Sequence, residues 1–78
     1  MAKKQTWHVV LDGEEHVVIY RRPLGRHVIV EIDGEAFQIP RGAREEPFIL
    51  GGEQAFLSIQ KNGKASIRLK DEELCEIK

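Results

Sequence analysis

The stretch Ala55-Phe56-Leu57-Ser58-Ile59-Gln60-Lys61-Asn62-Gly63-Lys64-Ala65-Ser66-Ile67-Arg68-Leu69 decides the fold. Ala55, Leu57 and Ile59 alternate with Phe56, Ser58 and Gln60, and Ala65, Ile67 and Leu69 alternate with Ser66, Arg68 and Lys70. Period-two alternation is the mark of a strand with one buried face. A two-residue turn at Asn62-Gly63 would set Ile59 opposite Ser66 and throw the apolar faces out of phase. A one-residue slip moves a strand's whole side-chain set to the other face, so that register is rejected. A three-residue loop, Lys61-Asn62-Gly63, with Gly63 in the left-handed conformation, sets Ile59 opposite Ala65, Leu57 opposite Ile67 and Ala55 opposite Leu69.

The same alternation runs through the rest of the chain. Asp12-Gly13 and Asp33-Gly34 each sit between alternating segments, the strongest short-range hairpin signal. Two-residue turns there pair Leu11 with Glu14, Val9 with His16 and Trp7 with Val18. The second turn pairs Ile32 with Glu35, Val30 with Phe37 and Val28 with Ile39. Pro23-Leu24-Gly25 connects the second strand to the third. Residues 40 to 47 form the longest irregular stretch, whose prolines discourage ladder pairing and which carries the chain from one sheet to the other. Phe48-Ile49-Leu50 is a short strand broken by Gly51-Gly52. Asp71-Glu72-Glu73 before Leu74 is the one place where a helical turn could begin.

The expected fold is therefore all-β: a small antiparallel β-sandwich, or a partly open barrel, of seven or eight short strands in meander-like order. Residues 1–5 read as a flexible N-terminus and 6–78 as a single β domain. A chain of 78 residues buries only about 60–65% of its unfolded surface, so its core is thin. Cys75 is the only cysteine, which rules out an intramolecular disulfide and points to a reducing compartment. The basic N-terminus is not followed by the apolar run of a signal peptide, and no apolar stretch is long enough to span a membrane. The expectation is a soluble, cytoplasmic protein.

Landmark order and spacing resemble one β-sandwich domain of the Fas apoptotic inhibitory molecule family, most closely its C-terminal domain. The likeness begins at Thr6-Trp7 and runs to Leu11-Asp12-Gly13-Glu14. It continues through the strand leading into Asp33-Gly34, then Phe48-Ile49-Leu50-Gly51, then Phe56-Leu57-Ser58-Ile59, and the last strands to about Ile77. Animal members carry two such domains in tandem, whereas this chain has one. The resemblance implies a non-enzymatic protein that works through protein–protein contacts, in stress or aggregation control, and supplies no catalytic residues to map here.

The residues show no machinery for chemistry. His8 and His16 point to opposite faces of the first hairpin, and no metal-ligand spacing is present, so neither a metal nor another cofactor is expected. His16 reads as a partly buried structural histidine. Cys75 has Leu74 and Glu76 as neighbours, neither of them the base or positive field that a reactive thiolate needs, and reads as a packing residue. Adjacent pairs such as Glu14-Glu15 and Glu72-Glu73 point to opposite faces and cannot flank one bond. Gly51-Gly52 lacks the strand-to-helix context of a phosphate loop. No catalytic residue is assigned.

Two surfaces remain. On the first hairpin, Val10, Val17 and Ile19 make the second face apolar as well as the face carrying Trp7, Val9, Leu11, Val18 and Tyr20. Such a patch marks a contact with a protein partner or a second copy, and a homodimer contact is favoured. Phe56 falls opposite the Leu57 face in company with Arg68, either packed under the arginine stem or serving as an anchor for a partner. The alternative reading is an anion- or nucleic-acid-binding domain using Arg21, Arg22 and Arg26 with Arg41 and Arg44. Twelve basic against 13 acidic residues, a net charge of −1, weigh against nucleic acid.

Overall fold

The computed structural model describes residues 3–22, 27–40 and 44–77. The first sheet collects β1 (Lys3–Leu11), β2 (Glu14–Arg22), β3 (Val28–Ile32), β4 (Glu35–Ile39) and β9 (Glu76–Ile77). The second collects β5 (Glu45–Leu50), β6 (Glu53–Ile59), β7 (Ala65–Leu69) and β8 (Glu72–Glu73). Their orders are β4-β3-β2-β1-β9 and β5-β6-β7-β8. Each sheet is an antiparallel meander, and the chain leaves the first after β4 and returns to it with β9, beside β1. The expected all-β sandwich is the observed fold.

All three hairpin registers derived from the sequence are present. Trp7 faces Val18, Val30 faces Phe37, and Leu57 faces Ile67. In the third hairpin Gln60 N–H donates to the Lys64 carbonyl at 2.8 Å, which closes the three-residue loop, and Gly63 has φ +85°. Two further turns follow the tight hairpin rule. Gly51 and Gly52 join β5 to β6 with φ +59° and +80°, and Lys70 and Asp71 join β7 to β8 with φ +51° and +62°. The segment from Asp71 is thus a hairpin and not a helical turn, because Arg68 and Leu69 pair with Glu73 and Glu72.

Pro47 also departs from expectation: it lies inside β5, opposite Phe56. Leu50 and Glu53 flank a two-residue turn and form a hydrogen-bonded pair, so alternation leaves position 47 facing away from β6. Its missing N–H costs the ladder nothing on an edge strand.

The core lies between the sheets. Trp7, Val18, Tyr20, Val30 and Ile39 face Phe48, Leu50, Leu57, Ile67 and Leu69, with Ala55 and Ala65 leaving room for the larger rings. Each of the larger side chains contributes on the order of 1.5–3 kcal/mol by leaving water. Gln5 reaches across the same space. Its Nε2 donates to the Ala65 carbonyl at 2.8 Å and to Glu76 Oε1 at 2.9 Å, while its Oε1 accepts the Ala65 N–H at 2.7 Å. One amide side chain thereby satisfies a buried peptide group of the opposite sheet and steadies β9.

Candidate functional site

Alternation on β1 and β2 that turns Trp7, Val18 and Tyr20 inward turns Val10, Val17 and Ile19 outward. Val10 is 56% exposed and Val17 38%, and Ile19 is half-buried. Their neighbours follow from the register: His8 opposite Val17, Thr6 opposite Ile19, and Ile77 of β9 opposite Thr6. Ile77, 49% exposed, extends the apolar strip across Thr6, a neighbour that the sequence alone does not place beside Ile19. Both signs of charge border the strip. Arg21 is bonded to Glu31 across β2 and β3, and His8 Nε2 lies 3.6 Å from Glu15 Oε2.

Phe56 and Arg68 lie on the opposite outer surface, that of the four-stranded sheet. Pro47, Phe56, Arg68 and Glu73 form one row across its strands. Phe56, Arg68 and Glu73 line a groove of about 580 Å³ together with Ser58, Ser66 and Glu45. Phe56 is half-buried and Arg68 exposed. The core separates this row from Val10, Val17 and Ile19, so the five residues expected at an interface occupy two surfaces.

The arginines are likewise divided. Arg21 shares the outer face with Val17 and Ile19, whereas Arg22 alternates to the other side and lies over Gly63, where it leaves no room for a Cβ. Tyr20, fully buried, donates its hydroxyl to the Gly63 carbonyl at 2.9 Å. Burial pushes that hydroxyl above its ordinary range, against a lowering by the Arg22 guanidinium. Arg44 is exposed at the entry to β5, where its carbonyl accepts the Ile59 N–H at 2.8 Å. Arg26 and Arg41 lie outside the described residues.

His16 and Asp33 form a tight polar pair at the rim of the core. His16 Nδ1 is 2.7 Å from Asp33 Oδ2, so a carboxylate that can only accept fixes the proton on Nδ1. Asp33 Oδ1 accepts the Val17 N–H at 2.9 Å, and the Asp33 N–H donates to the Val17 carbonyl at 2.9 Å. Asp33 thus continues the β2 ladder past the end of β3 while occupying a turn position at φ +50°. The hydrogen bond from His16, and then that from Val17, hold its carboxyl below the ordinary carboxylate range. His16 Nε2 is buried without a hydrogen-bond partner. The nearest carboxylate to that nitrogen is Glu14, whose Oε2 lies 4.0 Å away.

Cys75 is exposed and does not pack in the core: it falls in the short connection between β8 and β9. Among the described residues no group of three or more His, Cys, Asp or Glu side chains is placed to hold a metal ion. No helix among them is long and apolar enough to cross a membrane. Comparison with protein-family models, with curated proteins and with solved structures returns no match.

Proposed function

We propose that this domain is a non-enzymatic interaction module of the β-sandwich type that self-associates through the outer face of β1 and β2. The observation that carries the reading is the strip Val10-Val17-Ile19-Ile77, apolar and open to water on a sheet whose other face already forms the core. A second copy suits it because the border carries both signs, so Arg21 of one copy can meet Glu15 of the other.

The area sets the strength. A nine-residue strand is about 30 Å long and strands lie about 4.8 Å apart. Strands β1 and β2 with the shorter β3 and β9 together then present roughly 400 Å². Two such faces bury about 800 Å², the size of weak, transient contacts, so the dimer is a weak and reversible one. The resemblance to Fas apoptotic inhibitory molecule domains, which implies work through protein–protein contacts, fits this reading, as does the lone cysteine in a reducing, cytoplasmic setting.

Light scattering tests it. Val17→Lys and Ile19→Lys place a cation in the strip without touching the core, and each is expected to stay folded and to show a lower mass than the native chain at the same concentration. Unchanged mass in both variants would overturn the proposed face.

A further inference from the structure

The first sheet ends on β4, and the pairing of β3 with β4 fixes which of its backbone groups are free. Asp33 and Gly34 make a two-residue turn, so Ile32 and Glu35 exchange hydrogen bonds, as do Val30 with Phe37 and Val28 with Ile39. The Asp33 N–H bonded to the Val17 carbonyl on the far side of β3 agrees with that phase. Ala36 and Gln38 then point both N–H and C=O away from the sheet, and among the described residues nothing pairs with them.

The other three edge strands are shorter or interrupted. Strand β5 has Pro47 in an outward position, and β8 and β9 are two residues each. Strand β4 has five residues, no proline and no charge on its outward-bonding positions. Such an edge is a template for strand addition.

We propose that the β4 edge pairs antiparallel with β4 of a second copy, centred on Phe37. That register hydrogen-bonds Ala36 to Gln38 of the other copy and Gln38 to its Ala36. The two Phe37 rings, each half-buried, become direct cross-strand neighbours. Glu35 meets Ile39 and not another Glu35, so no like charges are opposed. Moving the centre to Gln38 would set Pro40, which has no N–H, opposite Ala36. The sequence of the strand thus selects one self-complementary register.

The edge contact stands apart from the proposed outer-face contact, but their symmetries are compatible. Antiparallel edge pairing has its two-fold axis normal to the sheet, whereas two stacked outer faces are related by an axis in the sheet plane. Perpendicular two-folds that intersect close as a tetramer. An edge dimer also puts both copies' Val17 strips on the same side of one ten-stranded sheet.

Residue-resolved amide hydrogen exchange on the native chain is the direct test. Raising the concentration until nine-tenths of the chains are paired is expected to slow exchange at Ala36 and Gln38 about tenfold, with the internally bonded Phe37 amide little changed. The same slowing is expected in Val17→Lys, which lacks the outer-face contact. Gln38→Pro removes an outward N–H without touching the internal ladder and is expected to abolish the Ala36 protection; Ala36→Lys is expected to abolish that at Gln38. Equal exchange at low and high concentration would overturn the edge contact, as would protection that vanishes in Val17→Lys. Loss of the outer-face contact alone leaves the edge protection in place, which separates failure of one surface from failure of the other.

Discussion

Gly51→Ala tests how the two sheets meet at the end of the core where His16 sits. Gly51 has φ +59°, and a Cβ there would lie 2.8 Å from His16 Nε2 and 2.9 Å from Leu11 Cδ1. The Leu11 methyl is the end of a flexible chain and can move aside. The His16 ring cannot move without stretching its 2.7 Å bond to Asp33. Placing alanine in the left-handed region costs about 1–2 kcal/mol. Forcing a methyl against a fixed ring adds about 1–2 kcal/mol. The expected total is about 2–4 kcal/mol, a large part of the stability of a domain this small.

Gly52→Ala is the control, because Gly52 has φ +80° but nothing within 4 Å of its Cβ position. It carries the backbone cost alone, about 1–2 kcal/mol. Urea unfolding followed by Trp7 fluorescence measures both, since the only tryptophan is 1% exposed in the fold. At about 4–8 °C per kcal/mol for domains of this size, the two variants should differ in Tm by roughly 4–16 °C. In a His16→Ala background the excess cost of Gly51→Ala should shrink. Equal destabilisation by the two glycine substitutions would refute the contact between Gly51 and His16.

Two further outcomes rest on buried polar groups. Gln5→Leu should cost about 2–4 kcal/mol in urea unfolding, because it strands the Ala65 N–H and carbonyl between the sheets. The lowered carboxyl of Asp33 contributes stability that is present above its unfolded value near 3.8 and is lost as pH falls through its lower folded value. The native chain should therefore lose stability relative to Asp33→Asn as pH drops below about 4.

Most of the architecture was legible because hydrophobic phase and turn chemistry agree. At Lys61-Asn62-Gly63 the apolar pattern alone selects a three-residue loop over the shorter turn, and the backbone follows it. The Lys70-Asp71 turn was not legible: both residues take positive φ without a glycine to mark them, and Asp71-Glu72-Glu73 carries the composition of a helix start. Pro47 misled for the opposite reason, since a proline is tolerated in a strand once that strand is known to be an edge. Gln5 looked like part of a polar tail because nothing local shows that an amide 60 residues from Ala65 will bond its backbone.

The surfaces were legible in part. The outward apolar set on the first hairpin followed from alternation, and so did the opposite orientation of His8 and His16. That Phe56 and Arg68 belong to the other side of the sandwich depended on which hairpins share a sheet, which period-two patterning does not encode. The role of Asp33 as both turn residue and His16 partner was hidden too, because the pairing arises between side chains 17 residues apart.

Sedimentation equilibrium of the native chain from about 1 µM to 1 mM tests self-association most directly. A mass that rises with concentration above that of the 8.9 kDa chain, through a reversible dimer, is the result predicted. A mass fixed at that of one chain over the whole range would contradict it.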